Sequence, residues 1–244
     1  MNRRWNDLTW PEVRAAVDRT PWALLTFGAV EEHGPHLPLG TDHYAAEALS
    51  ERLAEAADLI ALPTMPYGQV WSLEMFDGSL SISDATLIAF ITEIAGGLQR
   101  LGVKGLVMFS AHLGNVAAMK KATRVLEEQG GLPALAMAYP GLSRVAATVR
   151  EAPESHPSIV HADELETSIM LALRPECVHM DRAVREYPVY PEHFDVAPVR
   201  WDTVSTSGVF GDATVATAEK GERIVDHVMR EAVERVRSWK QSVA

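Results

Sequence analysis

Apolar runs of strand length alternate along this chain with longer stretches of helical periodicity. The apolar runs are residues 22–30, 59–65, 105–110 and 132–139, and the helical stretches are residues 44–57, 84–101, 115–129, 163–172 and 217–240. A run of residues that is apolar throughout is typical of a strand buried on both faces, as in a parallel sheet. We therefore predict an α/β fold, a three-layer α/β/α sandwich with a mostly parallel central sheet.

The composition predicts one globular domain over residues 1–244. Hydrophobic residues make up 47% of the chain and charged residues 23%, which is usual for a globular protein with a substantial core. No internal repeat, low-complexity tract or linker divides it. Residues 185–200, which contain several prolines and aromatic residues, are expected to form a long loop.

Charge and apolar patterning exclude several classes of partner. The net charge of −11 argues against nucleic acid, because phosphate binding needs a basic face. No apolar run approaches the roughly 18 residues of a membrane span, and the first residues lack the apolar core of a secretory signal. We therefore expect a cytoplasmic protein. The single cysteine, Cys177, is expected to be a small buried residue rather than a nucleophile.

Metal-ligand side chains follow two of the predicted strands. Glu31, His33 and Asp42 follow the first strand, and His112 follows the strand 105–110. Ligands collect at the carboxyl ends of parallel strands, so these groups are expected to share one site. Carboxylates with imidazoles suit Zn, Mn or Fe, and a carboxylate can bridge two such ions. A polar loop whose histidines cap helices is the alternative, which the second strand-end histidine makes less favourable.

Four segments resemble, in order, motifs of the creatininase (creatinine amidohydrolase) family. The first, EEHGPHLPLGTD at residues 31–42, is similar to the family's E-Q-H-G-P-H-L-P-L-x-T-D. The second, SAHLGN at residues 110–115, is similar to N-G-H-G-G-N. The third, HADELETS at residues 161–168, is similar to H-A-G-E-x-E-T-S, and the last is SGVFGD with ATAEKG within residues 207–221.

The resemblance implies a dinuclear metal hydrolase of non-peptide or cyclic amides that forms homo-oligomers, with a hexamer as the expectation. Two divalent ions per subunit (Zn, Mn or Fe) are implied, with Glu31 and His112 on one ion, His33 on the other and Asp42 bridging them. His161 stands at the position of the family's catalytic histidine, which carries a proton to the leaving nitrogen. That role suits a group whose ordinary pKa lies near neutrality.

Departures from the family pattern bear on the substrate. Gly114 stands where creatininases carry a metal-binding glutamate, and Val160 stands where they carry another glutamate. We expect water, substrate or Glu166 to take the place of the missing protein ligand on the second ion. Creatinine itself is not expected to be the substrate. Glycine at this position also occurs in the formamidopyrimidine deformylase and mycofactocin peptidase branches, so its presence does not imply inactivity.

Further residues are predicted to contact substrate or support the metal ligands. Leu73 replaces a histidine of many relatives, which predicts a more apolar pocket wall; Trp71 in that segment equally fits core packing. His36 is predicted to orient a ligand or the loop. The predicted substrate-binding residues are Trp71, Ser72, Glu74, Gly114 and Asn115.

These features predict a hydrolase that cleaves a C–N bond of a small amide, such as a lactam, imide or formamide. Two alternatives stay open. One is peptidase-like processing of a modified peptide, of the mycofactocin type. The other is a metal-binding homologue that has lost catalysis, for which Gly114 and Val160 are the warning signs. Residues 187–201 fit either an active-site cover or a subunit contact.

Overall fold

A four-stranded parallel sheet forms the centre of the molecule. The structure, a computed structural model, describes residues 3–243, so residues 1, 2 and 244 of the predicted domain lie outside it. The strands are β1 (Trp22–Phe27), β2 (Ile60–Ala61), β3 (Gly105–Ser110) and β4 (Ala134–Ala138), in the order β2-β1-β3-β4. Every neighbouring pair is parallel. The predicted α/β fold is therefore confirmed.

Among residues 3–243, seven α-helices cover the two faces of this sheet and complete the three layers. They are α1 (Trp10–Arg19), α2 (Thr41–Ala57), α3 (Asp84–Arg100), α4 (Val116–Glu128), α5 (Leu142–Val149), α6 (Glu164–Leu173) and α7 (Ala218–Val243). Side chains of β3 alternate between two cores, as a strand requires. Leu106 and Met108 pack with α1, α3 and α4, and Val107 and Phe109 pack with α2, α5, α6 and α7.

Helices α1 and α5 were not predicted. A capping box marks the start of α1, because the Thr9 amide donates to the Glu12 carboxylate at 2.7 Å and Pro11 occupies its first turn. That signal was present in the sequence. Helix α5 has a weaker one, because it begins after Gly141 in a left-handed conformation and without a side-chain cap.

Strands β1, β2 and β4 are shorter than their predicted runs, and the early end of β1 positions functional residues. Strand β1 ends at Phe27, and the chain then leaves the sheet toward the start of α2. Gly28 allows this close approach, since a Cβ there would overlap the backbone of His43. In the 59–65 run only Ile60 and Ala61 pair as a strand, and isolated bridges join Met65 to Phe27 and Ala61 to Arg4.

The region between α6 and α7 is mainly irregular. A short antiparallel pair joins β5 (Arg185–Glu186) to β6 (Gly211–Asp212), and the long loop predicted at residues 185–200 lies largely between them. Cys177 is half-buried rather than buried. Within residues 3–243, no helix combines the length and apolar character that crossing a bilayer requires.

Candidate metal centre

The loop between β1 and α2 brings its acidic and imidazole side chains back to one point. The Glu31 amide donates to the Leu39 carbonyl at 3.0 Å, which closes the loop, and Gly34 makes the turn with a φ of 66°. Asp42 then lies in the first turn of α2. Glu31, His33 and Asp42 are all buried at this point.

Glu31, Asp42 and His112 form a first group of donor atoms. His112 Nδ1 lies 3.0 Å from Glu31 Oε1 and 3.1 Å from Asp42 Oδ2. The other ring nitrogen, Nε2, lies 2.7 Å from the Gln69 carbonyl oxygen. A carbonyl only accepts, so Nε2 donates its proton there and the neutral ring keeps a lone pair on Nδ1. All three ligand atoms lie within 4.8 Å of one another, as one ion requires.

His33, Asp42 and Glu166 form a second group. His33 Nε2 lies 3.5 Å from Asp42 Oδ1 and 3.6 Å from Glu166 Oε2. His33 Nδ1 lies 3.3 Å from the Glu31 carbonyl oxygen, which again leaves the other nitrogen free to bind a cation. Asp42 thus presents Oδ2 to His112 and Oδ1 to His33. One carboxylate shared in this way is the arrangement that a two-metal site needs.

His161 lies beside both groups. Its Nδ1 is 3.9 Å from Glu31 Oε1, and its ring centroid is 4.4 Å from that of His33. Its Nε2 lies 3.0 Å from Glu32 Oε1. The Nδ1 atom of His161 could therefore move a proton or, with Glu31 and His33, contribute to a cation site.

The charge balance of the cluster favours cations. Glu31 Oε2 and His33 Nε2 are buried and have no hydrogen-bond partner among residues 3–243. Such groups are costly unless something pairs with them. Carboxylate and imidazole donors in two groups fit Zn, Mn or Fe, so these residues fit the metal ions that the sequence implied.

The pKa values of the cluster agree with this balance. Burial opposes the charged form of His33, yet Asp42, Glu166 and Glu31 together raise its pKa to about 10. Burial also opposes charge on His112, whose pKa is held well above its usual range by Glu31 and Asp42. Burial raises the pKa of Glu166 to about 7 despite His33 and His161. Without metal, protons on the histidines supply the positive charge that the carboxylates require.

A cavity of about 230 Å³ opens beside the cluster. Its walls combine ligand-type residues with an apolar side. The lining residues are Glu31, Gln69, Ser72, Leu73, His112, Leu113, Gly114, Ser158, Ile159, Val160, His161, Glu166 and Trp201. Two of the predicted substrate contacts, Ser72 and Gly114, are therefore in place beside the donor groups.

Trp71 and Glu74, predicted to contact substrate, lie outside this lining and hold a loop instead. The Arg200 guanidinium lies 4.0 Å from the Trp71 ring centroid and 2.7 Å from Glu74 Oε1. These contacts fasten the segment that carries Trp201, whose amide donates to the Ser72 carbonyl at 2.8 Å. Trp71 is half-buried against Arg200, and its contact with substrate stays a prediction.

Asn115 also lies outside the cavity, although substrate contact was predicted for it. Its side-chain oxygen accepts a hydrogen bond from the backbone amide of Gln69 at 2.9 Å. Its side-chain nitrogen donates to the Gly28 carbonyl at 3.0 Å. Gly114 has little room for any side chain. A Cβ there would overlap His112 Nε2 and lie 2.5 Å from the Gln69 carbonyl oxygen. Any side chain at position 114 would therefore require the His112 ring and the Gln69 backbone to move.

His36 is fully buried and supports the loop. Its Nε2 lies 2.8 Å from Thr167 Oγ1 on α6, which ties the loop to the helix that carries Glu166. Burial, followed by repulsion from His33, lowers the pKa of His36 to about 4. A neutral, orienting role is what these contacts allow.

Two residues near the cavity were missed by sequence reasoning. Glu32 lies inside the first motif, between the predicted metal ligands Glu31 and His33. A residue between two inward-facing neighbours is expected to point away, so a contact with His161 was not anticipated. Trp201 comes from the 187–201 segment, which offered no pattern that would orient one of its aromatic residues.

A parallel sheet between two helix layers, with buried carboxylates and imidazoles at its strand ends, defines an α/β protein with the kind of centre that metal-dependent hydrolases use. The chain belongs to the creatininase family, since the family model described as Creatinine amidohydrolase matches residues 6–236. This confirms the resemblance read from the four motifs.

Individual relatives are hydrolases with different names. The chain is 31% identical to the creatinine amidohydrolase of Pseudomonas putida, over 90% of both chains. It is 30% identical to the mycofactocin precursor peptide peptidase of Mycolicibacterium smegmatis, over 90% of this chain and 85% of that one. It is 26% identical to the 3-dehydro-scyllo-inosose hydrolase of Thermotoga maritima, over 91% and 78%. This chain is accordingly a creatininase-family hydrolase.

Solved structures of creatininases have the same fold. One named Creatininase Mn superposes with a TM-score of 0.81, at 28% identity over 98% of both chains. A creatininase variant described as Zn-Zn type superposes with a TM-score of 0.82, also at 28% identity over 98% of both chains. Both names include a metal, in agreement with the donor groups found here.

Proposed function

We propose that this protein is a dinuclear metal-dependent hydrolase that cleaves a C–N bond of a small cyclic or linear amide. The observation that carries the proposal is the sharing of Asp42 between two donor groups. Glu31, Asp42 and His112 would hold one divalent ion, and His33, Asp42 and Glu166 the other, as Zn, Mn or Fe. When bound, such ions supply an acidified water for attack and polarise the substrate carbonyl.

The protein's own residues then orient and move protons. The Glu166 carboxylate accepts from the Ala162 amide at 2.6 Å, which fixes its direction toward His33. His161 Nδ1, at the cavity wall, accepts the proton given up by the attacking water and passes it to the leaving nitrogen. Cleavage of the C–N bond thus needs one histidine that first accepts a proton and then donates it.

The shape of the cavity supports a small substrate with apolar surface. A volume of about 230 Å³ is below the usual range for drug-sized ligands. Leu73, Ile159, Val160 and Trp201 line one side, and none offers a charge to a polar ring substituent. Lactams, imides and formamides with an alkyl or aryl group fit this description better than creatinine does.

A peptidase is the second candidate. Leu113 lines both the cavity and a groove of about 800 Å³ beside the open edge of β4, which supports a substrate longer than the cavity alone accepts. The mycofactocin precursor peptide peptidases at about 30% identity are consistent with this option.

A substrate screen with metal analysis tests the proposal. The purified protein, supplied with Mn or Zn, is assayed on lactams, hydantoins, imides, formamides and short peptides, and bound metal is counted. We expect about two ions per chain and cleavage of at least one small amide that stops after chelation. A His33→Ala variant should lose turnover and the ion of the group formed by His33, Asp42 and Glu166, whereas the surface variant Asp226→Asn should keep both ions and turnover.

Each other result contradicts the proposal in a distinct way. Cleavage of peptides alone would favour the peptidase. Two bound ions without hydrolysis of any amide or peptide would favour a homologue that has lost catalysis. Full activity in metal-depleted His33→Ala would exclude the assigned ligands.

A further inference from the structure

A buried carboxylate outside both donor groups contacts His161. Glu32 is 7% exposed, and its Oε1 lies 3.0 Å from His161 Nε2. Its Oε2 accepts a hydrogen bond from the Gly34 amide at 2.9 Å. Each oxygen of Glu32 therefore faces a nitrogen, and neither takes part in the groups around Asp42.

The turn at Gly208 closes over this carboxylate. Gly208 has a φ of 75°, and a Cβ there would overlap Glu32 Oε2. The Gly208 amide donates to Ser205 Oγ at 2.9 Å, which holds the turn in place. Glu32 is consequently packed on the side opposite His161 and cannot withdraw from the imidazole without moving that turn.

The His161 ring is held as firmly as the carboxylate. The ring of Trp201 meets it edge-on with centroids 5.6 Å apart, and Phe210 does so at 5.9 Å. The His33 ring covers another side at 4.4 Å. A 180° flip of the ring would exchange Nε2 with Cε1 and leave the Glu32 oxygen facing a carbon atom, so the observed orientation is the one that satisfies the carboxylate.

Hydrogen-bond chemistry then assigns the proton. An ionised carboxylate only accepts, so His161 Nε2 must donate to Glu32, and the neutral ring keeps its lone pair on Nδ1. Nδ1 is the nitrogen that lies 3.9 Å from Glu31 Oε1, and His161 and Glu31 both line the cavity. Both oxygens of Glu32 meet donors, Nε2–H of His161 and the amide of Gly34. A glutamine has one acceptor oxygen and could satisfy only one of these two donors.

We propose that Glu32 is a positioning residue for His161, which keeps the ring proton on Nε2 and so presents Nδ1 to the substrate. The inference rests on the proposed function for the role of His161 in proton transfer. In that transfer Nδ1 gains one proton from the attacking water and returns it to the leaving nitrogen, while Nε2 keeps its proton and Glu32 stays ionised throughout.

Nitrogen NMR of the imidazoles tests the assignment directly. The Zn-loaded protein is labelled with ¹⁵N-histidine and studied at mildly alkaline pH, and His161 is assigned by comparison with His161→Asn. We expect a protonated Nε2 and an unprotonated Nδ1 in the wild type. In Glu32→Gln and Glu32→Ala the single tautomer should be lost. A wild type that carries the proton on Nδ1, or a Glu32→Gln spectrum identical to wild type, overturns the proposal.

Kinetics give a second measurement on the small amide that the wild type cleaves. Glu32→Gln should lower kcat by about 10- to 100-fold, as loss of an orienting partner commonly does, with KM and the count of bound ions nearly unchanged. Glu164→Gln is the matched control. Glu164 is buried on the same helix as Glu166 and binds Lys220 and backbone amides without contacting His161. That variant should leave the His161 resonances unchanged even if it lowers stability.

The two proposals fail in different ways. If no amide is cleaved, the proposed function is wrong, and the NMR result still decides the role of Glu32. If the wild type cleaves an amide while Glu32→Gln keeps its kcat and its His161 tautomer, the hydrolase stands and the positioning role is wrong.

Discussion

Asp42 offers a different oxygen to each of two histidines, so changing this one side chain affects both donor groups. Asp42→Asn removes the negative charge and leaves one neutral acceptor oxygen for two cations. We expect this variant to retain less than one of about two ions after dialysis against buffered Zn. His112→Ala should retain one, because His33, Asp42 and Glu166 remain. Elemental analysis of the dialysed proteins measures the difference.

Asp226→Asn is a suitable control for that comparison. Asp226 is exposed on α7, away from the cluster, so its replacement changes the net charge equally without touching a ligand. Two ions bound to Asp42→Asn, or none to His112→Ala, would contradict the shared-carboxylate arrangement.

The raised pKa of His33, about 10, has a consequence for metal binding. An imidazole must lose its proton before it binds a cation, so Zn uptake should release protons and affinity should rise with pH toward 10. Calorimetry in buffers of different ionisation enthalpy counts the released protons. The count should fall in His33→Ala. Heats that do not depend on the buffer would refute this prediction.

Local spacing was enough to find part of the site, and long-range folding supplied the rest. Glu31, His33 and Asp42 lie within twelve residues, and β3 pairs in register beside β1, which accounts for His112. Trp201 could not be found this way. It reaches the cavity through a hydrogen bond to Ser72 and through the contacts of Arg200 with Trp71 and Glu74. None of these contacts leaves a periodic pattern in the sequence.

Among the elements, the long periodic helices and the central strands were predicted well. Strand β3 and the start of α3 at Asp84 match their predicted bounds. Strand β2, at the edge of the sheet, was predicted less well. The 59–65 run is apolar enough for a full strand, yet only Ile60–Ala61 pair as one. The amides of Leu62 and Met65 still donate to carbonyls of β1, but Pro63 between them has no N–H and interrupts the ladder.

Packing of α6 against α7 depends on a glycine. A Cβ at Gly221 would overlap the carbonyl oxygen of Ser168, so Gly221→Ala must separate two helices, one of which carries Glu166. We expect a loss of about 1–3 kcal/mol in the free energy of unfolding and weaker Zn binding. Urea unfolding of the two proteins, compared at equal m-value, measures the loss.

Gly96→Ala is the matched control in helix α3. A Cβ there meets only the tip of Arg100, at 3.9 Å, and alanine favours the helix by up to about 1 kcal/mol. This variant should therefore be as stable as the wild type or more so. An equal loss in both variants would show that general helix sensitivity, and not the contact with Ser168, is responsible.

At the scale of the whole molecule, the cluster links metal binding, protonation and folding. Acidic residues outnumber basic residues, which gives a net charge of −11. When no metal is bound, the buried carboxylates depend on the positive charge of His33 and His112. Metal and protons thus stabilise the fold by the same means. Removing both should weaken the fold, because buried carboxylates are costly without a positively charged partner.

The sign of the pH effect in the metal-free protein follows from two raised pKa values. His33 has a pKa of about 10 in the fold against 6.5 ordinarily, so its contribution is complete below pH 6.5 and is lost as the pH rises through 10. Glu166 has a pKa of about 7 against 4.5, so its contribution is complete below pH 4.5 and is lost through pH 7. The free energy of unfolding should therefore fall between pH 6.5 and 9.5, by at most about 1.4 kcal/mol per group and pH unit.

Denaturant unfolding of chelator-treated and Zn-loaded protein across this pH range measures the effect. The Zn-loaded protein should be the more stable, by about 2.7 kcal/mol at free Zn 100 times the dissociation constant, and its stability should depend less on pH because metal replaces the titrating protons. In metal-free His33→Ala the slope should become shallower, whatever the absolute stability of the variant. A metal-free protein that becomes more stable as the pH rises would mean that the carboxylates of the cluster do not rely on the histidines for their charge balance.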